Sequence, residues 1–169
     1  MYPLIVLFFN ITLLRKGPQD VPASVWVIRV VLPVYIAINM LILLLSEESA
    51  TAFLQIAVDF LMMVAFIWPL LYFSAKTARF SQTLCAFLGT DAVISFFAIP
   101  VVSTLSAQPS GFAIFMMFIL MIWHWLVSGH ILRHALDKPL FFGLGLALLY
   151  KLILSQVMAL LFPVISTQT

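Results

Sequence analysis

Residues Pro139 to Phe162 read PLFFGLGLALLYKLILSQVMALLF, 24 positions in which one charged side chain, Lys151, interrupts an otherwise apolar run. At about 1.5 Å of rise per residue, a helix of that length crosses a hydrocarbon layer about 30 Å thick. The stem of Lys151 reaches only about 6 Å, while the nearer edge of such a layer is more than about 10 Å away. Its ammonium therefore cannot snorkel to water and needs a partner inside.

The rest of the chain has the same character. With 169 residues, 64% hydrophobic and 8% charged, and a mean hydropathy of +1.20, it lacks the polar surface of a water-soluble domain. An all-α integral membrane bundle is the fold class this implies. A net charge of +2, from 8 basic and 6 acidic residues spread along the chain, argues against a nucleic-acid surface. The single cysteine, Cys85, excludes an internal disulfide and a cysteine metal cage, and reads as a small apolar filler.

Working outward from the last stretch, four more apolar runs are long enough to cross: Val25 to Leu45, Ala50 to Phe73, Leu84 to Leu105 and Phe112 to Leu132. Gly17, Pro18 and Pro22 break the chain before the first, Ser24 is placed to cap it, and Pro33 should bend it. Tyr2 to Leu14 is apolar too, but 13 residues is marginal, and Arg15 and Lys16 follow the run rather than precede it as in a signal peptide. It reads as an interfacial or shallow re-entrant helix. The expected organisation is an N-terminal segment over 1–24, a five-helix bundle over 25–163 and a short tail over 164–169.

Loop charge tests this segmentation. Arg15, Lys16 and Arg29 precede or open the first span, Lys76 and Arg79 separate the second from the third, and Arg133, His134 and Lys138 link the fourth to the fifth. With His130 they form a basic rim, while the opposite loops carry only Glu47 and Glu48. Because Lys and Arg collect in cytoplasmic loops, the N-terminus is expected in the cytoplasm and the C-terminus across the membrane.

Four ionisable residues lie inside the spans: Asp59, Asp91, His124 and Lys151. Burying an ion at mid-bilayer costs from about 2.5 to more than about 10 kcal/mol, so such groups turn inward and pair. Counting along the helices puts Asp59 roughly 14 Å below the outer face and Lys151 roughly 18 Å above the inner one, the same level in a layer of about 30 Å. Asp59 and Lys151 are the expected pair. Asp91, roughly 10 Å above the inner face, matches His124 at roughly 12 Å. These groups either fasten the helices together or relay protons or a solute.

His130 and His134 share a helix face, but no third histidine on another helix and no HExxH pattern supports a metal, so no metal or other cofactor is expected. Gly143, Gly145 and Ala147, with Ser155 beyond Lys151, would let another backbone approach, within the monomer or across an oligomer. No nucleophile elbow, Walker loop or dinucleotide fingerprint occurs, so no catalytic residue is named.

The five-span layout, the third-span entry Phe80-Ser81-Gln82-Thr83-Leu84 leading to Leu88-Gly89 and Pro100, and a last hairpin with a polar turn resemble the Yip1 family. Where that family often opens its third span with Gly-Tyr, this chain has Gly89-Thr90, and the Asp-Leu-Tyr-Gly-Pro signature of eukaryotic members is not found. The short form is similar to bacterial relatives, as is Leu14 to Pro22 (LRKGPQDVP). The resemblance implies a non-enzymatic helical membrane protein acting through partners, in a bacterial inner membrane. With neither a soluble domain nor a catalytic motif in the sequence, an accessory subunit or scaffold whose helix faces meet membrane lipids and a larger membrane partner is the expected function. A proton or small-solute conductor built on the buried polar centre is the alternative that the residues themselves raise.

Overall fold

The computed structural model describes residues 2–45, 49–108 and 110–163. Among them are six α-helices and no strand: α1 (Tyr2–Thr12), α2 (Val25–Leu43), α3 (Ser49–Phe73), α4 (Phe80–Ala107), α5 (Gly111–Leu136) and α6 (Leu140–Leu161). Five of them, α2 to α6, are long and apolar enough to cross a membrane. Ser24 caps α2, its Oγ accepting from the Trp26 amide at 3.3 Å. Glu47, Glu48 and the tail over 164–169 lie outside the described residues.

Two helices extend past the apolar runs that announce them. Helix α4 begins at Phe80, a turn before Leu84, and α5 continues through Arg133 and His134 to Leu136. In both places a neighbouring element meets the polar turn, so the helix need not stop where the apolar residues do. The chain reverses after α1, α3 and α5 through Leu14, Ala75 and Asp137, all with positive φ, at 60°, 54° and 52°. At each, the following amide bonds back five residues: Arg15 to the Asn10 carbonyl, Lys76 to Leu71 and Lys138 to Arg133. These 6→1 bonds close the helix C-termini, and the contacts of His130 with Lys16 and of Lys76 with Asp137 put the three reversals at the same end of the bundle.

The axis of the bundle is α4, which packs against α1, α2, α3 and α5. Its residues Thr83 to Thr90 are all buried, eight in succession, so every side of this stretch is covered. The composition explains it: Thr83, Cys85, Ala86, Gly89 and Thr90 are small and let neighbours come close. Cys85 is fully buried among them. Helix α6, whose apolar run carries Lys151, is instead peripheral and rests on α5 and α3.

Helix α1 is laid into the bundle rather than apart from it. Its Leu7, Phe8 and Ile11 belong to the same core as α4 and α5, and the Phe8 ring occupies the space that a side chain at Gly89 would take. Gly89 lies roughly 13 Å along α4 from Phe80.

The α5–α6 crossing is closer still. A Cβ on Gly143 would overlap the Gly129 carbonyl oxygen and approach the Arg133 amide nitrogen to 2.9 Å, and one on Gly129 would lie 3.0 Å from the Leu144 Cα. Trp125 ties the same place by donating from Nε1 to the Leu144 carbonyl at 3.0 Å. Gly143 thus packs within the monomer, and Ala147 is fully buried. Gly145 meets nothing within 4 Å, and Ser155 is exposed. Gly143→Ala is therefore expected to cost about 1–3 kcal/mol through overpacking, whereas Gly145→Ala, which gains helix propensity, is neutral or stabilising. Thermal unfolding of the two variants in one detergent checks this, and equal shifts would contradict the crossing.

Candidate functional site

Midway along the helices, polar side chains from all five long helices converge. On α2, Tyr35 and Asn39 are four residues apart and share a face, as do Asp91 and Ser95 on α4. Helix α3 brings Asp59, α5 brings His124, and α6 brings the neighbours Tyr150 and Lys151. The network has two arms. In one, Asp59 accepts a short hydrogen bond from the Tyr35 hydroxyl at Oδ2 and a longer one from Tyr150, 3.4 Å, at Oδ1. In the other, Asn39 donates to Asp91 Oδ2 at 2.9 Å, and His124 Nε2 lies 3.4 Å from Asp91 Oδ1. Ser95 joins this arm through the Asn39 side-chain oxygen at 3.2 Å. The Asn39 amide also donates to the Tyr35 backbone carbonyl at 3.1 Å, one turn back on α2, so the arms share the α2 backbone.

Lys151 ends the second arm. Its Nζ lies 3.2 Å from His124 Nδ1 and 3.5 Å from Nε2. Nearly equidistant from the two ring nitrogens, the amine lies against the imidazole rather than along one lone pair, and the ring stands between the Lys151 amine and the Asp91 carboxyl group.

The depth match of Asp91 with His124 is thus met by contact, but that of Asp59 with Lys151 is not: no Asp59 oxygen lies within 4.0 Å of Lys151 Nζ. Adjacent residues on a helix point about 100° apart, a direction that counting depth cannot see. Tyr150 consequently faces Asp59 on α3 while Lys151 faces His124 on α5. Tyr35, Asn39, Ser95 and Tyr150 were not singled out by charge. Their signal in the sequence was polar residues repeating at four or lying beside a charge inside apolar spans.

The tryptophans beside His124 fix its direction. Trp123 donates from Nε1 to the Thr12 carbonyl at 2.8 Å, capping α1, while Trp125 reaches α6 as described. Successive side chains of Trp123-His124-Trp125 thereby address α1, the polar centre and α6.

A pocket of about 390 Å³ leads into the centre from one end. Tyr35, Asn39 and Asp59 form its floor, and Ile42, Gln55, Met158 and Phe162 contribute to its walls. These wall residues come from the end of α2, the start of α3 and the end of α6, all away from the basic loops. Toward the basic loops the centre is closed by buried Leu84, Leu88, Val127 and Ile131.

The basic rim is assembled at that closed end. Lys76 Nζ pairs with Asp137 and donates to the Leu136 carbonyl at 2.7 Å, and Arg79 Nη1 lies 3.0 Å from both Asp137 oxygens and donates to the His134 and Ala135 carbonyls. Two cations thus sit on the negative C-terminal end of α5. Gln82 donates to the Val21 carbonyl at 2.8 Å, and His130 donates from Nε2 to the Lys16 carbonyl at 3.0 Å, anchoring the segment after α1. His130 is buried, its ring 4.5 Å from that of His134, so it anchors the rim from beneath rather than lining its surface. Arg15, Lys16 and Lys138 are exposed, and Arg133 and His134 half-buried.

Hydrogen bonds from Arg79 and Lys76 hold the Asp137 carboxyl down at about 2. An ordinary unfolded-state aspartate titrates near about 3.9, so the clasp contributes fully above that pH and is lost as pH falls through about 2. Asp137→Asn keeps a residue type suited to positive φ while removing the charge. It should lower the thermal midpoint at pH 7 and narrow the difference between pH 7 and pH 2 seen for the native chain. An unchanged acid dependence would contradict this.

Compared with family models, curated proteins and solved structures, the chain has no significant match.

Proposed function

We propose that the chain is an integral membrane protein that conducts protons or a small cationic solute through its polar centre. The observation that carries this reading is a carboxyl group at the floor of a pocket with no basic side chain in contact among the described residues. The centre holds two carboxyl groups, one amine and one imidazole, and the carboxyl at the pocket floor, Asp59, has phenol hydroxyls as its hydrogen-bond partners. An apolar environment disfavours an unmatched ion, so this group is held neutral by a proton or matched by a cation, and either can enter from the pocket. Asn39 and Asp91 connect the same pocket to His124 and Lys151. The apolar layer on the rim side would have to part for passage, so the conformation described is the one open away from the rim.

The rim itself supplies the orientation. Its lysines and arginines support a cytoplasmic rim by the positive-inside preference, which would have the pocket open on the opposite face, and a bacterial inner membrane suits that polarity. Helix α1, set against Gly89, then enters the layer from the cytoplasmic side as a re-entrant helix. Reconstitution into vesicles containing a pH-sensitive dye tests the conduction. An imposed potential should drive acidification faster than in empty vesicles, and Asp59→Asn should return the rate to that of empty vesicles. Wild-type flux no faster than the blank, or undiminished flux in an Asp59→Asn/Asp91→Asn double variant, overturns the reading.

One observation favours an accessory subunit instead. On the outer half of α5, Phe112, Phe115, Phe118, Ile119, Met121 and Ile122 are all exposed, so this part of the helix is apolar on several sides with little of the chain against it. A larger membrane partner would fit there, and the Yip1-like layout points the same way. A photoreactive residue at Phe115 in native membranes should give one discrete protein adduct under this reading, and lipid adducts alone would remove it.

A further inference from the structure

We infer that the pocket above Asp59 is a binding site for an organic ammonium ion with an apolar arm. This inference rests on the conduction reading in taking Asp59 as the acceptor, and it goes further by naming the chemistry of the ligand.

Three features of the pocket select that class. The first is charge: among the described residues no lysine, arginine or histidine nitrogen lies within 4.0 Å of an Asp59 oxygen, because Lys151 is turned to His124. The carboxylate is therefore available to a cation from outside the chain. The second is polarity, which is graded along the pocket. Tyr35, Asn39 and Asp59 gather oxygen atoms at the floor, while Ile42, Met158 and Phe162, with Gln55 as the polar side chain among them, make a mainly apolar wall toward the mouth. A bare metal ion would use the floor and leave the wall idle, whereas an ammonium bearing an apolar substituent uses both. The third is size: about 390 Å³ lies in the range of small-molecule pockets and well above what a dehydrated inorganic cation fills.

Tyr35 and Tyr150 each donate to one Asp59 oxygen, and a ligand's charge acts on the carboxylate whether or not it has a hydrogen to donate. A quaternary ammonium therefore belongs to the class as a primary one does.

Benzyltrimethylammonium is the probe of choice, since its charge is independent of pH and its phenyl group matches the wall. Its neutral carbon isostere, neopentylbenzene, is the control. Calorimetry on the full chain in phosphatidylglycerol nanodiscs should show saturable binding of the cation that the neutral isostere does not reproduce. Asp59→Asn should weaken the cation about tenfold or more. Met158→Trp, which fills the mouth without touching the polar network, should block the cation while leaving the folded chain intact, so loss of fold at Asp59 does not excuse the result. Equal affinity for cation and neutral isostere, or unchanged affinity in Met158→Trp, overturns the inference.

Adding phosphatidylethanolamine to the nanodiscs identifies the source of the ammonium. Competition with the probe assigns the site to a lipid headgroup, and undiminished probe binding assigns it to a free solute. Cation binding without proton flux would leave the site standing while removing conduction, and flux without cation binding would do the reverse.

Discussion

An ion in hydrocarbon must be neutralised where it lies, and that requirement organises the middle of this chain. Lys151 could not reach an interface from its position on α6, and the structure answers with an imidazole rather than a carboxylate at its tip. His124 stands between Lys151 and Asp91, which spreads one charge pair over three groups and ties α6 to α5 and α5 to α4. Asn39 extends the chain to α2, and Tyr35 and Tyr150 bring in α3 through Asp59. In a bilayer apolar surfaces gain little by meeting each other, because the lipid is as apolar as they are. Polar links and close backbone contact then decide which helices stay together, and both are concentrated at this level and at the Gly129–Gly143 crossing.

The two ends of the bundle are built differently around that middle. One end is closed by small-residue packing along α4 and tied by Lys76, Arg79, Asp137 and Gln82, which satisfy helix-end carbonyls as well as each other. The other end parts into a pocket between α2, α3 and α6. The reversals through Leu14, Ala75 and Asp137 all lie at the first end, away from the pocket.

How much of this could be read from the residues alone depends on the kind of signal. Helix count and span positions were legible because each crossing is a long apolar run with punctuation at its ends, and the four ionisable residues stood out against it. The match of Asp91 with His124 followed from depth. The choice of His124 over Asp59 as the contact of Lys151 did not, since rotation about the helix axis leaves no mark in a depth count. The central place of α4 was visible only indirectly, in Thr83, Cys85, Ala86 and Gly89, while the more apolar α6 drew attention and proved peripheral. His130 carried the same rim label as Arg133 and Lys138, and only the fold shows it buried beneath the Lys16 carbonyl.

The seat of α1 has a bearing on how the molecule is put together. Its anchors are far downstream: the Thr12 carbonyl waits for an indole 111 residues later, and the Lys16 carbonyl for an imidazole 114 residues later. A ribosome therefore releases this short segment long before the surfaces that receive it exist. Until α4 and α5 have been made, the surfaces that bury Leu7, Phe8 and Ile11 do not exist, so the first helix of the chain cannot take its seat before later ones are in place.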